Sequence, residues 1–228
     1  MAKKKASSTK EDNLGFDTIE QSLTRTEQFL ENNARQVVIA VIAIVVAVAA
    51  VFGYTKMYAA PRAVEAERQM AQAIKWFESD SLKLSLNGSG TYYGFLDIAD
   101  EFGGTPSGKA AHYYAGMAYY GQGMYVEAIE QLDQFPTKAT AFSALALGTI
   151  GDAFVELGQM DDAADYYVKA ANIVDNDLTT PLMLWKAALT FEGLDKNDKA
   201  LKLYEKIADK YPESRQAAGI ESIIASLK

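Results

Sequence analysis

The sequence predicts an all-α chain: one membrane-spanning helix near the N-terminus, followed by a solenoid of stacked helical hairpins. Two observations lead to this. Residues 37–52 are an unbroken run of 16 apolar residues. Beyond residue 105, small and aromatic residues recur at fixed offsets with spacings of 35 and 37 residues. A third observation limits the chemistry, because the chain has no cysteine and a single histidine among its 228 residues. Disulfides, cysteine-ligated zinc and thiol nucleophiles are therefore excluded.

The apolar run, VVIAVIAIVVAVAAVF, extends through Gly53, Tyr54 and Thr55 before Lys56. As a helix it would be ~29 Å long, close to the ~30 Å thickness of a bilayer's hydrocarbon core. Val and Ile are poor helix formers in water, but in lipid the backbone must satisfy its own hydrogen bonds. Tyr54 and Tyr58 fall where interfacial aromatics belong. A buried core helix seldom runs this long without a polar residue. A cleaved signal peptide is the sharper alternative, since Ala47-Val48-Ala49 resembles a cleavage site. However, about 36 residues with acidic members precede the run, whereas a signal n-region is short and basic. A retained signal anchor over residues 36–56 is the expectation.

Charge sets its orientation. Four lysines lie in the first ten residues and Arg35 abuts the run, while the far flank has Lys56, Arg62 and Arg68. The positive-inside rule places the N-terminus in the cytoplasm and the rest of the chain outside. From residue 61 onward there are 15 basic and 24 acidic residues, a net charge of −9. Such a domain is poorly suited to nucleic acid, whose recognition rests on neutralising phosphates. Residues 1–35 form the cytoplasmic tail. Within it, residues 16–34 are predicted helical, with Phe16, Ile19, Leu23, Phe29 and Leu30 near one face. That helix could lie on lipid, dock on a partner or simply extend the anchor.

The repeats follow from an alignment of Gly116, Gly151 and Ala188. Three residues later come Tyr119, Phe154 and Phe191; twelve later, Ala128, Ala163 and Ala200; sixteen later, Leu132, Tyr167 and Tyr204. Gly123, Gly158 and Leu194 are assigned to the turns. Small residues let two antiparallel helices approach, large ones fill the space beside them, and single units must stack to bury their apolar faces. The period and spacing resemble the tetratricopeptide repeat, with Pro212 at its terminal proline position. Residues 105–212 thus form three repeats. Residues 57–104 are expected to form a degenerate first repeat with a linker helix: a helix over 61–79, a loop over 85–90 and a partner helix over 92–101. Residues 213–228 form a capping helix. Thr105-Pro106 and Thr180-Pro181 read as caps followed by first-turn prolines. Asp161 reads as the cap of the middle repeat's second helix, and Pro136 ends the helix before it.

No catalytic constellation, phosphate loop or metal motif is visible, and neither an enzyme nor a cofactor is expected. His112 sits at a packing position, and Asp161, Asp162 and Asp165 open a helix where acidic groups complement the dipole. Asn87-Gly88-Ser89 matches a glycosylation acceptor of the kind Gly-rich loops produce by chance. The candidate site is instead a protein-binding groove on the first helices: Tyr113, Met117, Tyr120, Asp152, Val155, Glu156, Trp185, Leu189 and Glu192. Its aromatics and Met offer apolar contact, and its acids favour basic segments. A capping helix or the loop over residues 80–90 could cover this face instead.

The order of basic tail, amphipathic helix, Phe29-Leu30-Glu31-Asn32, anchor and degenerate repeats, with residues 95–110 (FLDIADEFGGTPSGKA), resembles the YfgM-type ancillary subunit of the bacterial Sec translocon. The resemblance implies a bacterial inner-membrane protein with periplasmic repeats. It also implies association with the SecYEG channel, with PpiD-type membrane-anchored chaperones and with unfolded secreted polypeptides. A scaffold in another envelope secretion or assembly machine is the alternative.

Overall fold

The computed structural model describes Leu30 and residues 32–136 and 138–228, all-helical and without strands among these residues. The expected tail helix over residues 16–34 lies almost wholly outside them. The chain divides into two units after Tyr58.

In the first unit, α1 spans Ala34–Gly53 and carries no acidic residue in its first turn and no basic residue in its last. Among the described residues nothing covers it: Val38, Ile42, Val45 and Phe52 are all more than half exposed. None of its residues is buried among the described residues. It is long and apolar enough to cross a membrane. A π-helical turn, Tyr54–Ala59, follows it, and the Tyr54 and Tyr58 rings lie 5.5 Å apart.

The second unit is built of α2 (Ala60–Glu78), α3 (Leu82–Asn87), α4 (Phe95–Glu101), α5 (Pro106–Gly121), α6 (Tyr125–Asp133), α7 (Ala141–Glu156), α8 (Met160–Ile173), α9 (Thr179–Gly193), α10 (Asn197–Lys210) and α11 (Ile220–Ser226). From α5 to α10 every helix packs on the next, and α7 also touches α5 and α9. Three hairpins are thereby stacked side by side.

The helix crossings explain the recurring small residues. A Cβ on Gly116 would lie 2.4 Å from Leu132 Cγ, and one on Gly151 would lie 2.6 Å from Tyr167 Cε1. Ala128, Ala163, Ala188 and Ala200 are fully buried. Overpacking such a crossing costs about 1–3 kcal/mol. The turns use a second device, a left-handed residue seven positions after each small residue: Gly123 at φ 75, Gly158 at φ 73 and Asp195 at φ 57. Leu194 lies in the third turn, and the left-handed residue there is its neighbour Asp195. Asp tolerates the left-handed region better than most residues with a Cβ.

The same register reaches further upstream than the sequence reading allowed. Ala73, Asp80 (φ 59) and Ser85 repeat the offsets of small, left-handed and buried small residue. The partner of α2 is thus α3, and Ser85–Asn87 end a helix where a loop was expected. The fully buried Ser85 donates its hydroxyl to the Leu82 carbonyl at 2.8 Å. α3 stops at Gly88 (φ 72), where a Cβ would sit 2.3 Å from the Tyr92 carbonyl oxygen, so only glycine fits. The chain resumes as α4, which packs on α5.

At the caps, Thr105 accepts from Gly108 N at 3.0 Å, with Pro106 opening α5. Thr180 is not a cap. It lies inside the first turn of α9, accepting from Asn176 N and donating to the Val174 carbonyl. Nor does Asp161 cap α8, which begins at Met160; Asp161 stands in the first turn and pairs with Lys196. At the C-terminus, the expected single helix over residues 213–228 is broken. A 3₁₀ turn, Arg215–Ala217, is followed by Gly219 (φ 77) and then α11, which buries Ile220 and Ile224.

Candidate functional site

The first helices of the three hairpins carry the residues named as a groove. Tyr113, Met117 and Tyr120 lie on α5, Asp152, Val155 and Glu156 on α7, and Trp185, Leu189 and Glu192 on α9. Within each helix they are spaced by one, three, four or seven residues, which keeps each set toward one side. Leu189 is 49% exposed, Glu156 is exposed and the others are half-buried.

Several of these groups already have partners. Lys186 Nζ donates to both Asp152 carboxylate oxygens at 2.7 Å, and the Tyr167 hydroxyl donates to the same carboxylate. Lys186 also lies 5.5 Å from the Tyr167 ring centroid. Asp152 is therefore a neutralised structural acid rather than an open receptor for a basic segment. Glu192 accepts from the Tyr204 hydroxyl, and Trp185 packs edge-on against the Tyr204 ring at 5.3 Å. Met117 Sδ accepts from Thr149 Oγ1 at 3.6 Å. Tyr113 meets Phe135 at 5.5 Å and Phe142 at 6.1 Å.

Lys186, Tyr125 and Phe142 join this face without having been named from sequence. Phe142 is 61% exposed at the start of α7, and Leu178, just before α9, is 78% exposed. The helix-start end of the hairpin row is therefore apolar. Lys186 had a legible signal: it follows Asp152 by 34 residues, just as Lys196 follows Asp161 by 35. Opposite charges one repeat apart face each other across neighbouring hairpins.

The other candidates are accounted for by their neighbours. His112 Nδ1 lies 3.0 Å from Gln131 Oε1 on α6. Asn87 donates its side-chain amide to the Lys83 carbonyl at 2.9 Å. Among the described residues no group of three or more His, Asp or Glu is placed to hold a metal ion.

The stacked hairpins define a tetratricopeptide-type helical-repeat fold. Residues 110–139 and 183–214 match the tetratricopeptide repeat family model. Among solved structures, the chain is similar to the nearly identical tetratricopeptide-like repeats of a kinesin light chain-type protein from Podosopora anserina. That likeness has a TM-score of 0.51 at 14% identity, over 72% of this chain and 84% of that one. No curated protein matches the chain in sequence.

Three buried tyrosines tie the stack to pH. Burial, and then donation to Asp152 and to Glu192, push the Tyr167 and Tyr204 hydroxyls far above the ordinary tyrosine range. Burial and a 2.6 Å bond to Asp175 push Tyr211 up to about 12. Each raised group adds stability that is fully present below its unfolded value of about 10 and is lost as pH climbs through its folded value. The domain is expected to hold constant stability from pH 8 to about 10, then weaken steeply. Urea melts across this range test it, with Tyr211→Phe expected to soften the loss. A stability that stays flat to pH 12 would count against these buried hydroxyls.

Proposed function

We propose that this chain is a membrane-anchored protein-binding module: α1 spans the bacterial inner membrane, the N-terminus is cytoplasmic, and the hairpin stack stands in the periplasm. There it serves the Sec translocon as an accessory subunit, engaging SecYEG, a PpiD-type chaperone or an emerging unfolded polypeptide. One observation carries the membrane part of the reading: an apolar helix whose whole circumference lies open among the described residues. The positive-inside bias supports the orientation. The binding part draws on the tetratricopeptide-type fold and on the exposed Phe142, Leu178 and Leu189. Large apolar side chains held in water on an otherwise acidic domain mark a contact surface. The anchor confines this surface beside the channel exit, so individual contacts can be weak and still be occupied. The Sec assignment rests on the sequence resemblance.

Cross-linking in intact cells tests this reading, with a photoreactive residue in place of Leu189. Adducts to translocon subunits, membrane-anchored chaperones or secreted chains are expected. Adducts confined to another envelope assembly machine would transfer the protein to that machine, and their complete absence would contradict the groove.

Val45→Arg should abolish stable anchoring, because a charge at the bilayer centre costs ~2.5–3.5 kcal/mol on insertion scales. Alkaline washing of membranes is expected to release the variant while the native chain stays. A variant retained like the native chain would argue against a spanning helix.

A further inference from the structure

At the turn end of the first two tetratricopeptide-type hairpins, two tyrosines and a glutamate meet. The Tyr120 ring closes α5, the Tyr125 ring opens α6, and their centroids lie 5.5 Å apart at 63°. Glu156 ends α7 beside them, and its Oε2 accepts from the Tyr125 hydroxyl at 3.3 Å.

Neighbouring carboxylates on this row are neutralised from within. Asp152 receives Lys186, and Asp161 receives Lys196, each from the next hairpin. Glu156 lies between them in sequence, is exposed, and has no cationic partner among the described residues. Two tyrosines stand in place of a lysine. The local field is negative: the hydroxyls of Tyr120 and Tyr125 are both raised, by burial first and then by nearby carboxylates, Glu156 among them. Met124, Leu157 and Met160, at the same hairpin turns, are each more than a third exposed. The third hairpin differs, since its turn is Asp195, Lys196 and Asn197.

We propose that Tyr120, Tyr125 and Glu156 form a receptor for an arginine side chain on a partner polypeptide. The electron-rich tyrosine faces attract a cation. A planar guanidinium can stack on one ring while its N–H groups donate to the carboxylate. The exposed Met124, Leu157 and Met160 receive the apolar residues beside that arginine. This deepens the protein-binding reading above and rests on it.

The test uses the full chain in phosphatidylcholine nanodiscs at physiological salt. The probe is a fluorescein-labelled twelve-residue Leu/Ser/Gly peptide with two arginines, compared with its twin in which citrulline, neutral and nearly isosteric, replaces each arginine. The native chain should bind the arginine peptide about fivefold more tightly, the sum of a weak cation–π contact and an exposed ion pair. Glu156→Gln should erase most of that preference and leave the citrulline peptide's affinity unchanged. Asp165→Asn, which removes one negative charge from an exposed site on α8, should keep the preference. Thermal melting of each variant separates binding from folding. A preference that survives Glu156→Gln, falls equally in Asp165→Asn, or is absent from the native chain overturns the receptor while leaving the groove. Binding of neither peptide overturns both.

Discussion

The whole stack depends on how closely two helices can approach. The first two hairpins pair a glycine on the first helix with a Leu or Tyr on the second, Gly116 with Leu132 and Gly151 with Tyr167, and the third carries buried Ala188 and Tyr204 at the same register positions. At the two glycines there is no room for even one added carbon, since a Cβ would sit 2.4–2.6 Å from its neighbour. The same residues that close a hairpin also position the next one. Tyr167, packed into the Gly151 crossing, donates to Asp152, which holds Lys186 on α9. Close approach, stacking and inter-hairpin charge pairing form one continuous chain of contacts. Gly148 extends it, because Met183 of α9 occupies the space a side chain there would need.

That economy leaves a defined remainder for function. Internal lysines consume some of the acids, and tyrosine hydroxyls consume others. What stays open are apolar side chains at the helix starts, Leu189 midway, and the Tyr120, Tyr125 and Glu156 corner at the turns. Aromatic and Met side chains of this kind offer adaptable apolar contact.

The repeat register was legible in the sequence because steric exclusion at a crossing allows few residue types, so Gly116, Gly151 and Ala188 announce themselves. The all-helical class and the repeat-type fold followed from that spacing. Other features had no such signature. Leu194 lies in the third turn as its position implies, but the left-handed residue there is Asp195, whose tolerance of that region is a matter of degree. The SLNGSG segment reads as loop by composition, yet Ser85 fills an alanine position and α3 continues through Asn87. Thr180-Pro181 carries the letters of a cap, but Asn176 and Val174 claim the Thr180 hydroxyl. For the residues named as a groove, the internal partners were not legible. Whether Asp152 is open or neutralised depends on Lys186, 34 residues away, and only the stacking of hairpins brings the two together.

A double-mutant cycle at the middle crossing tests the governing constraint most directly. Gly151→Ala, Tyr167→Leu and the pair would be compared by urea denaturation. The glycine substitution alone should cost about 1–3 kcal/mol. In the Tyr167→Leu background its cost should fall by about 1 kcal/mol or more, since the ring it strikes is gone. Strictly additive costs would mean that the glycine is not there to admit the tyrosine, and that close helix approach does not organise this fold.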